Sequence, residues 1–576
     1  MEKFKNSKLV TTILIVLIFA SLNWLSYGFN WRYDLSASGR FKITNSTQGI
    51  LENLPGKITI EAFFSEEYPD EFIQPVKQLR DFLTEYAAGS SGKVRLRFLN
   101  PDNDSGSDPS QEGEIRERAR SLGIRPRPIG AQGGNTQQIS SVYFSLALSY
   151  EDKTEIIPDI ISASGSVLEY NITARIYKMA YPGLRKVGIW TANTMFSTSE
   201  QQNPYIALGS LVESLEPFYG ELVSVNGENF PNDISTLIII QPESLSEAEK
   251  LTIDQFILKG GKLLLAMAGI QIDIQKGVSR PVDPDLLSFF AHYGIEIEPA
   301  LLLEPENFIP MEVGSDSYNR RQWKYPMWVR VKQDGLSTAS VITENMKDVI
   351  FPWVSPVRFN KEKAMELEMV QLASTTDNAW LQKGNINIDP NVVQAQLLNP
   401  TRPDTGKYNI AMHIKGKFKS FFAQNQSYQN SEKTIIKESQ APAQIVVTGT
   451  PYMFSYAFIQ ISHLLNLNFF LSSLDVMSGL DELVQARSRK VVLPVLHQIL
   501  PWKKSLFNIV NFFLPLFAII GYGVLRLLGR KKMQSIPYAS TVEISAEPIE
   551  PTEPKELENP KGSAETVGKN KTEERN

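Results

Sequence analysis

The sequence predicts an α/β protein held at a membrane by two apolar helices. Three observations carry this. Residues 9–29 and 505–525 are two stretches of 21 residues without a charge, each long enough as a helix to cross about 30 Å of hydrocarbon. Between them, short β-rich runs alternate with runs of helical periodicity. Cysteine is absent, which excludes disulfides, thiolate catalysis, dithiol redox chemistry and cysteine-held metal. The 576 residues carry a net charge of −5 and are 42% hydrophobic. That is enough apolar material for real cores, and no basic field points to nucleic acid.

The first span follows a cytoplasmic tail, 1–8, and reads as a retained anchor rather than a cleaved leader, because its apolar run is long and no A-x-A site follows. The second, taken to run over 505–528, is flanked by Trp502, Lys503 and Lys504 and by Arg526, Arg530, Lys531 and Lys532, residues suited to a membrane interface. Pro515 can kink it without ending the span. Lys3, Lys5 and Lys8 crowd the N-terminal tail and place it in the cytoplasm. Both termini are then inside and the large body between the spans is extracytoplasmic. For a chain with a double membrane envelope, that means the inner membrane and the periplasm.

Within the body, 57–64 alternates as a strand, and 71–87 sets Val76, Leu79, Phe82 and Leu83 on one helical face. Residues 94–100 form a second strand. Residues 114–124 form a short helix closed by Gly123, and 125–138 reads as a Gly- and Pro-rich loop. Strands 141–150 and 154–160 pair around Glu151-Asp152-Lys153, and 167–180 closes the unit as a helix. The order β-α-β-α-β-β-α over 45–183 is that of a thioredoxin-like layer, here without redox cysteines.

A second, doubly wound α/β unit is expected over 184–300 with 441–490. It opens with a strand at 186–190, a helix at 206–218 and a strand at 221–226. Apolar runs at 237–240 and 263–267 imply strands buried on both faces, as in a parallel sheet. Between them Ser246 and Glu249 fit a capping box, Ile253, Phe256 and Ile257 form the buried stripe, and Gly260-Gly261 stops the helix. Residues 286–297 add a helix and a strand, and 443–450 reads as a strand returning to the same sheet. A β-rich insertion is expected over 301–440, with 407–422 its clearest β stretch. The tail, 533–576, is Pro- and Glu-rich and too polar to order itself.

Nine stretches in this order resemble the GldG-like family of auxiliary ABC transporter components, a family associated with gliding motility: RYDLSASGRFKIT (32–44), LTEYAAGSSGKVRLRFLNPD (83–102), SLGIRP (121–126), VLEYNITARIYKM (167–179), DISTLIIIQPE (233–243), FILKGGKLLLAM (256–267), IKGKFKS (414–420), VVTGTPYMFS (446–455) and LDELVQARSRK (480–490). The resemblance implies a permease and a cytoplasmic ATPase as partners. It also implies that the second unit is similar to class I glutamine amidotransferases. That activity needs a cysteine nucleophile at a strand-to-helix elbow with a histidine partner, so it does not carry over to a chain without cysteine.

No residue is assigned a catalytic, cofactor-binding or metal-binding role. His292, His413, His463 and His497 stand apart in sequence, outside any metal-binding spacing. GSSGK (89–93) lacks phosphate-loop spacing and reads as a turn. Asp102, Asp104 and Asp108 miss the offsets of a calcium loop, so a solvated loop is the plainer reading. Lys415, Lys417 and Lys419 alternate along one exposed face, where a headgroup or partner contact competes with simple solvation. Trp328 and Trp353, beside prolines, read as core rather than ligand groove. The strand before Gln241-Pro242-Glu243 ends where an enzyme would place a nucleophile, and Glu243 has no visible base partner. The expected function is therefore a non-catalytic, membrane-anchored auxiliary subunit of an ABC-type transporter whose outer domains bind substrate or a further envelope protein. An extracytoplasmic enzyme and a structural envelope tether are the alternatives.

Overall fold

The computed structural model describes residues 43–484 and 501–534, together with Ser21, omitting 103–108, 134–135, 163–164, 182–185, 192–198, 228–229, 314–320, 363–366, 399–401, 403, 424–434 and 482. Apart from Ser21, the expected first span, its preceding tail and the acidic tail after 534 lie outside the described residues. The chain divides into two compact units, Met1–Val492 and Leu493–Asn576.

The first unit opens with α1 (Asn45–Glu52), β1 (Ile58–Phe64), α2 (Ile73–Ala88), β2 (Val94–Leu99) and α3 (Pro109–Ser121). It continues with β3 (Arg127–Gly133), β4 (Thr136–Val142), β5 (Phe144–Tyr150), β6 (Lys153–Ile157) and α4 (Gly165–Ala180). Four strands form a sheet in the order β2-β1-β5-β6. β1 is parallel to β2 and antiparallel to β5, and β5 is antiparallel to β6. The stripe expected on α2 is buried and extends to Tyr86. The loop expected over 125–138 is instead a hairpin, β3 with β4. Its strands are held by backbone pairing, with Ile129 and Val142 buried near its open end, so its composition carries little strand signal.

A second series follows: β7 (Lys186–Thr191), α5 (Gly209–Leu215), β8 (Glu221–Ser224), β9 (Thr236–Ile240), α6 (Glu247–Leu258), β10 (Lys262–Ala266), β11 (Ile270–Asp273), β12 (Val278–Pro281), α7 (Pro284–His292) and β13 (Ile295–Ile297). Then come β14 (Ala300–Leu303), β15 (Met311–Val313), β16 (Arg321–Trp323), β17 (Trp328–Lys332), β18 (Asp348–Pro352), β19 (Val357–Phe359), β20 (Glu368–Ser374) and β21 (Trp380–Lys383). The series closes with α8 (Pro390–Leu398), β22 (Asn409–Gly416), β23 (Ala443–Thr448), α9 (Tyr456–Ile461) and α10 (Leu465–Met477).

Seven of these strands make one sheet in the order β20-β22-β23-β10-β9-β7-β8. The five from β23 to β8 run parallel, and β22 and β20 add an antiparallel edge. Two strands from within 301–440 are thus built into this sheet. Burial on both faces is visible in β9: Leu237 and Ile239 enter one core, Ile238 and Ile240 the other. Side chains on strands alternate, so a strand covered on both sides must be apolar throughout. α6 begins with the Ser246–Glu249 capping box, and Gly260 follows it at φ +87°.

α4 is shared between the two sheets' cores. Leu168, Ile172, Ile176 and Met179 pack on the four-stranded side, Tyr170 and Ala174 on the other. The second unit contains α11 (Pro501–Gln534), in which 508–528 has a mean hydropathy of 1.8. By length and composition this stretch can cross a membrane.

Candidate functional site

The chain runs from β7 to β8 on one side of the seven-stranded sheet, then crosses to β9 and β10 on the other. β7 and β9 are adjacent and parallel, so strand order reverses between them. In open α/β sheets ligands sit beyond the carboxyl ends of the strands at such a point. Those ends are level here: Thr191 of β7 pairs with Ile240 of β9, Ile240 with Ala266 of β10, and Ala266 with Thr448 of β23. The Thr191 hydroxyl is buried without a hydrogen-bond partner among the described residues.

Beyond Ile240 the chain turns sharply. Gln241 takes φ +39°, a left-handed conformation that costs a non-glycine residue about 1–3 kcal/mol. This strand-to-helix elbow is where α/β hydrolytic enzymes expose a nucleophile. Here the side chain is an amide, buried, with both ends turned to one neighbour. Its Oε1 accepts from Ala268 N at 2.8 Å, and its Nε2 lies 3.5 Å from Ala268 O. Its backbone N–H donates to Ala266 O at 3.0 Å. The elbow fastens the ends of β9 and β10 together and presents no reactive atom.

Next to it lies a crevice of about 520 Å³, within the range of small-molecule sites. Asn203, Ile206 and Glu243 line one part, and the β11–β12 hairpin the rest. The hairpin's charges are paired internally. Arg280 Nε and Nη2 donate to Gln271 Oε1 at 3.0 and 2.8 Å. Asp273 accepts from the Lys276 backbone at 3.0 Å and faces Lys276 Nζ at 3.2 Å, and these two contacts hold its carboxyl below the usual range. Glu243 is exposed and has no partner among the described residues. The lining offers aliphatic walls, amides, one unpaired carboxylate and one guanidinium. Among the described residues the crevice's lining includes no histidine.

A second, polar cavity of about 260 Å³ lies among β14, β17 and β20, lined in part by Glu304, Arg330, Asp334, Thr376 and Lys407. Glu304 is buried, but its carboxylate is occupied by Glu306 N, Thr376 N and Thr376 Oγ1 at 2.9–3.0 Å.

The residues singled out from sequence are scattered. His292 Nε2 lies 3.0 Å from Lys419 O, and His413 is buried with Nε2 3.1 Å from Gln444 Oε1. Burial first, and the Lys415 charge second, push the His413 imidazole down to about 4. His463 sits at a helix end at φ +49°, and His497 lies outside the described residues. Asp102 accepts from Ser65 Oγ, while Asp104 and Asp108 are outside the described residues. Lys417 and Lys419 are exposed on either side of buried Phe418, and Lys415 is half-buried. GSSGK is a turn with Ser91 and Gly92 at φ +52° and +80°. Trp328 and Trp353 are buried with rings 5.9 Å apart, packed with Tyr205 and Phe458.

Sequence reasoning missed the buried charged hubs. Asp254 and Asp475 are fully buried. Asp254 accepts from Tyr293 and Ser420 hydroxyls, and Asp475 from Tyr170 and Tyr219 at 3.0 Å. Their partners are 39 to 305 residues away, so no local pattern announces them.

The family described as an ABC-type uncharacterized transport system matches residues 184–473, half of the chain. A domain of unknown function matches 37–149. An uncharacterized protein of Borreliella burgdorferi is 22% identical over 532 residues, spanning 89% of this chain and 99% of its own. The solved structure of a ThuA-like protein from Bacteroides uniformis aligns over 52% of this chain and 96% of its own, at 11% identity and a TM-score of 0.27.

Proposed function

The chain belongs to the ABC-type uncharacterized transport system family, and on that premise we propose that it is a non-catalytic, membrane-anchored auxiliary subunit of an ABC-type transporter. The match over 184–473 carries this reading, since it contains every strand of the seven-stranded sheet and the crevice beside Gln241. The chain has no phosphate-binding motif of its own, so a separate cytoplasmic ATPase supplies the energy and a permease the path. α11 is one anchor. Its apolar side chains are exposed, from Phe513 at 40% to Phe512 at 76%, which in water alone is costly and in lipid is favourable. Residues 9–29 are the other anchor, both termini are cytoplasmic, and the body between them works outside the membrane.

The four-stranded sheet, in the order β2-β1-β5-β6, serves as a thioredoxin-like layer stripped of its chemistry, because there is no thiol to react. The second sheet binds transported substrate or another envelope protein at the switch-point crevice. Replacement of a nucleophile position by an amide spent on Ala268 supports binding over catalysis.

The test is isolation of the tagged, full-length chain from native membranes in mild detergent. A permease and an ATPase should accompany it in constant ratio. Recovery of the chain alone, also after cross-linking in the membrane, would overturn the subunit reading.

A further inference from the structure

Four charged residues line the crevice beside Gln241: Glu243, Asp273, Lys276 and Arg280. Asp273 and Lys276 neutralise each other at 3.2 Å. Glu243 and Arg280 have no charged partner among the described residues, and they do not pair with one another. Arg280 stands opposite Gln271 in the register of the β11–β12 hairpin. Its Nε and Nη2 donate to Gln271 Oε1 at 3.0 and 2.8 Å. That acceptor is a neutral amide, so it orients the guanidinium without compensating its charge. A guanidinium has five N–H donors, and Gln271 takes one from each of two nitrogens. The parallel pair on Nη1 and Nη2, the fork that matches a carboxylate, is left over. Glu243 follows Pro242, whose ring fixes its own φ, and Gln241, which is fastened to Ala268. Both Glu243 and Arg280 are exposed, and Ile206, Ile274 and Val278 add aliphatic surface to the same lining.

One uncompensated anion, one uncompensated cation and aliphatic walls are complementary to a molecule with the opposite arrangement. We propose that the crevice takes a zwitterion, an α-amino acid or short peptide with free termini and an apolar side chain, with its ammonium on Glu243 and its carboxylate on Arg280. This deepens the reading of the crevice as a substrate site and rests on it. A ligand of a single sign gains at one of the two charges and loses at the other. A zwitterion gains at both. Its ammonium is all donor and suits a carboxylate that accepts nothing from the protein, while its carboxylate accepts the free guanidinium fork. Arg280 is held on Gln271 beforehand, which lowers the cost of ordering it on binding. A volume of about 520 Å³ leaves room for a side chain beyond the two charged ends. An internal segment of a folded partner has neither free end, so the charges favour a small substrate over an envelope protein here.

The test is calorimetric titration of the full-length chain in mild detergent. The probes are L-leucine, the tripeptide leucyl-glycyl-glycine, and that tripeptide either N-acetylated or C-amidated. The free forms should bind, and each cap should weaken the tripeptide about tenfold, as loss of a hydrogen bond between charged groups implies. Glu243→Gln should abolish the penalty of acetylation and keep that of amidation. Arg280→Gln should do the reverse. General loosening of the crevice would weaken all probes alike and would not give this crossed pattern. Tighter binding of L-leucine assigns the site to amino acids, and tighter binding of the tripeptide assigns it to peptides. Equal affinity for free and capped forms would overturn the zwitterion while leaving the crevice a substrate site. Absence of binding by every probe, in chain that still co-purifies with a permease and an ATPase, would overturn it while the subunit reading stands. Binding with the crossed pattern, in chain recovered from membranes alone, would keep the zwitterion site and overturn the subunit reading.

Discussion

Replacing Asp254 should destabilise the larger unit more than any surface change. The carboxylate is fully buried on α6. Oδ1 accepts from Tyr293 OH at 2.7 Å and Phe421 N at 2.8 Å, and Oδ2 from Ser420 Oγ at 2.8 Å and Gln255 Nε2 at 2.9 Å. Burial, and then the Asp254 charge, push the Tyr293 phenol well above its ordinary range, so it remains a donor at any working pH. In Asp254→Ala, Tyr293, Ser420 and Phe421 N each lose their acceptor away from water. An orphaned buried donor costs about 1–3 kcal/mol, and neighbouring losses do not add fully. The expected loss is about 3–5 kcal/mol. Asp254→Asn keeps one accepting oxygen and turns an amino group toward donors, so it should fall between. Urea unfolding of the detergent-purified chain reads both from the shift in midpoint, and hydrogen exchange should rise first over 418–422. A loss below about 1 kcal/mol for Asp254→Ala would refute the claim that this carboxylate ties α6 to that segment.

Three further outcomes follow from the same packing. Because the folded-state value of His413 is near 4, below its usual 6.5, the unfolded chain binds the proton first. Its stabilising contribution is therefore complete above about pH 6.5, falls as the pH drops toward 4, and amounts to about 3 kcal/mol at most; His413→Gln should flatten that part of the stability profile. In Gly449→Ala the new Cβ would overlap the Ser355 carbonyl, where the two backbones are already bonded from Ser355 N to Gly449 O at 2.8 Å. A loss of about 2–4 kcal/mol is expected, and a variant as stable as the parent would contradict the packing of β23 against this segment. For Asp475, which joins Tyr170 of α4 to Tyr219 at 3.0 Å each, a double-mutant cycle of Tyr170→Phe with Asp475→Asn should give a coupling of about 1–2 kcal/mol, against none if α4 is held by apolar contacts alone.

What was legible in sequence follows from how each element is buried. β1, β9 and β10 read correctly because their composition reports their environment, half or fully covered. α6 announced both ends, with Ser246 and Glu249 at the start and Gly260 at the stop. By contrast α10 is buried around nearly its whole circumference, from Phe469 through Met477, so it has no polar face to create a helical period. The hairpin of β3 and β4 failed for the opposite reason: its strands are stabilised by backbone pairing, which composition does not record. The stretch 301–440 read only as strands and turns, since pairing of β22 with β23 is a long-range choice made by the sheet edge. Glu243 and the elbow were visible as a strand end, whereas the crevice was not, because the β11–β12 hairpin that walls it lies some thirty residues further on.

The elbow at Gln241 also bears on what the end of β9 does. Gln241 takes φ +39°, a strained conformation of a kind found at active sites, ligand clamps and switch regions. Here the strain is offset by the bond from Ala268 N and by extension of the β9–β10 ladder through Gln241 N to Ala266 O. The conformation therefore holds two strand ends in register at the mouth of the crevice. If that is its role, Gln241→Ala should loosen the loops after β9 and β10 and weaken whatever the crevice holds, without abolishing any reaction. A residue serving catalysis would show the reverse: binding preserved and turnover lost.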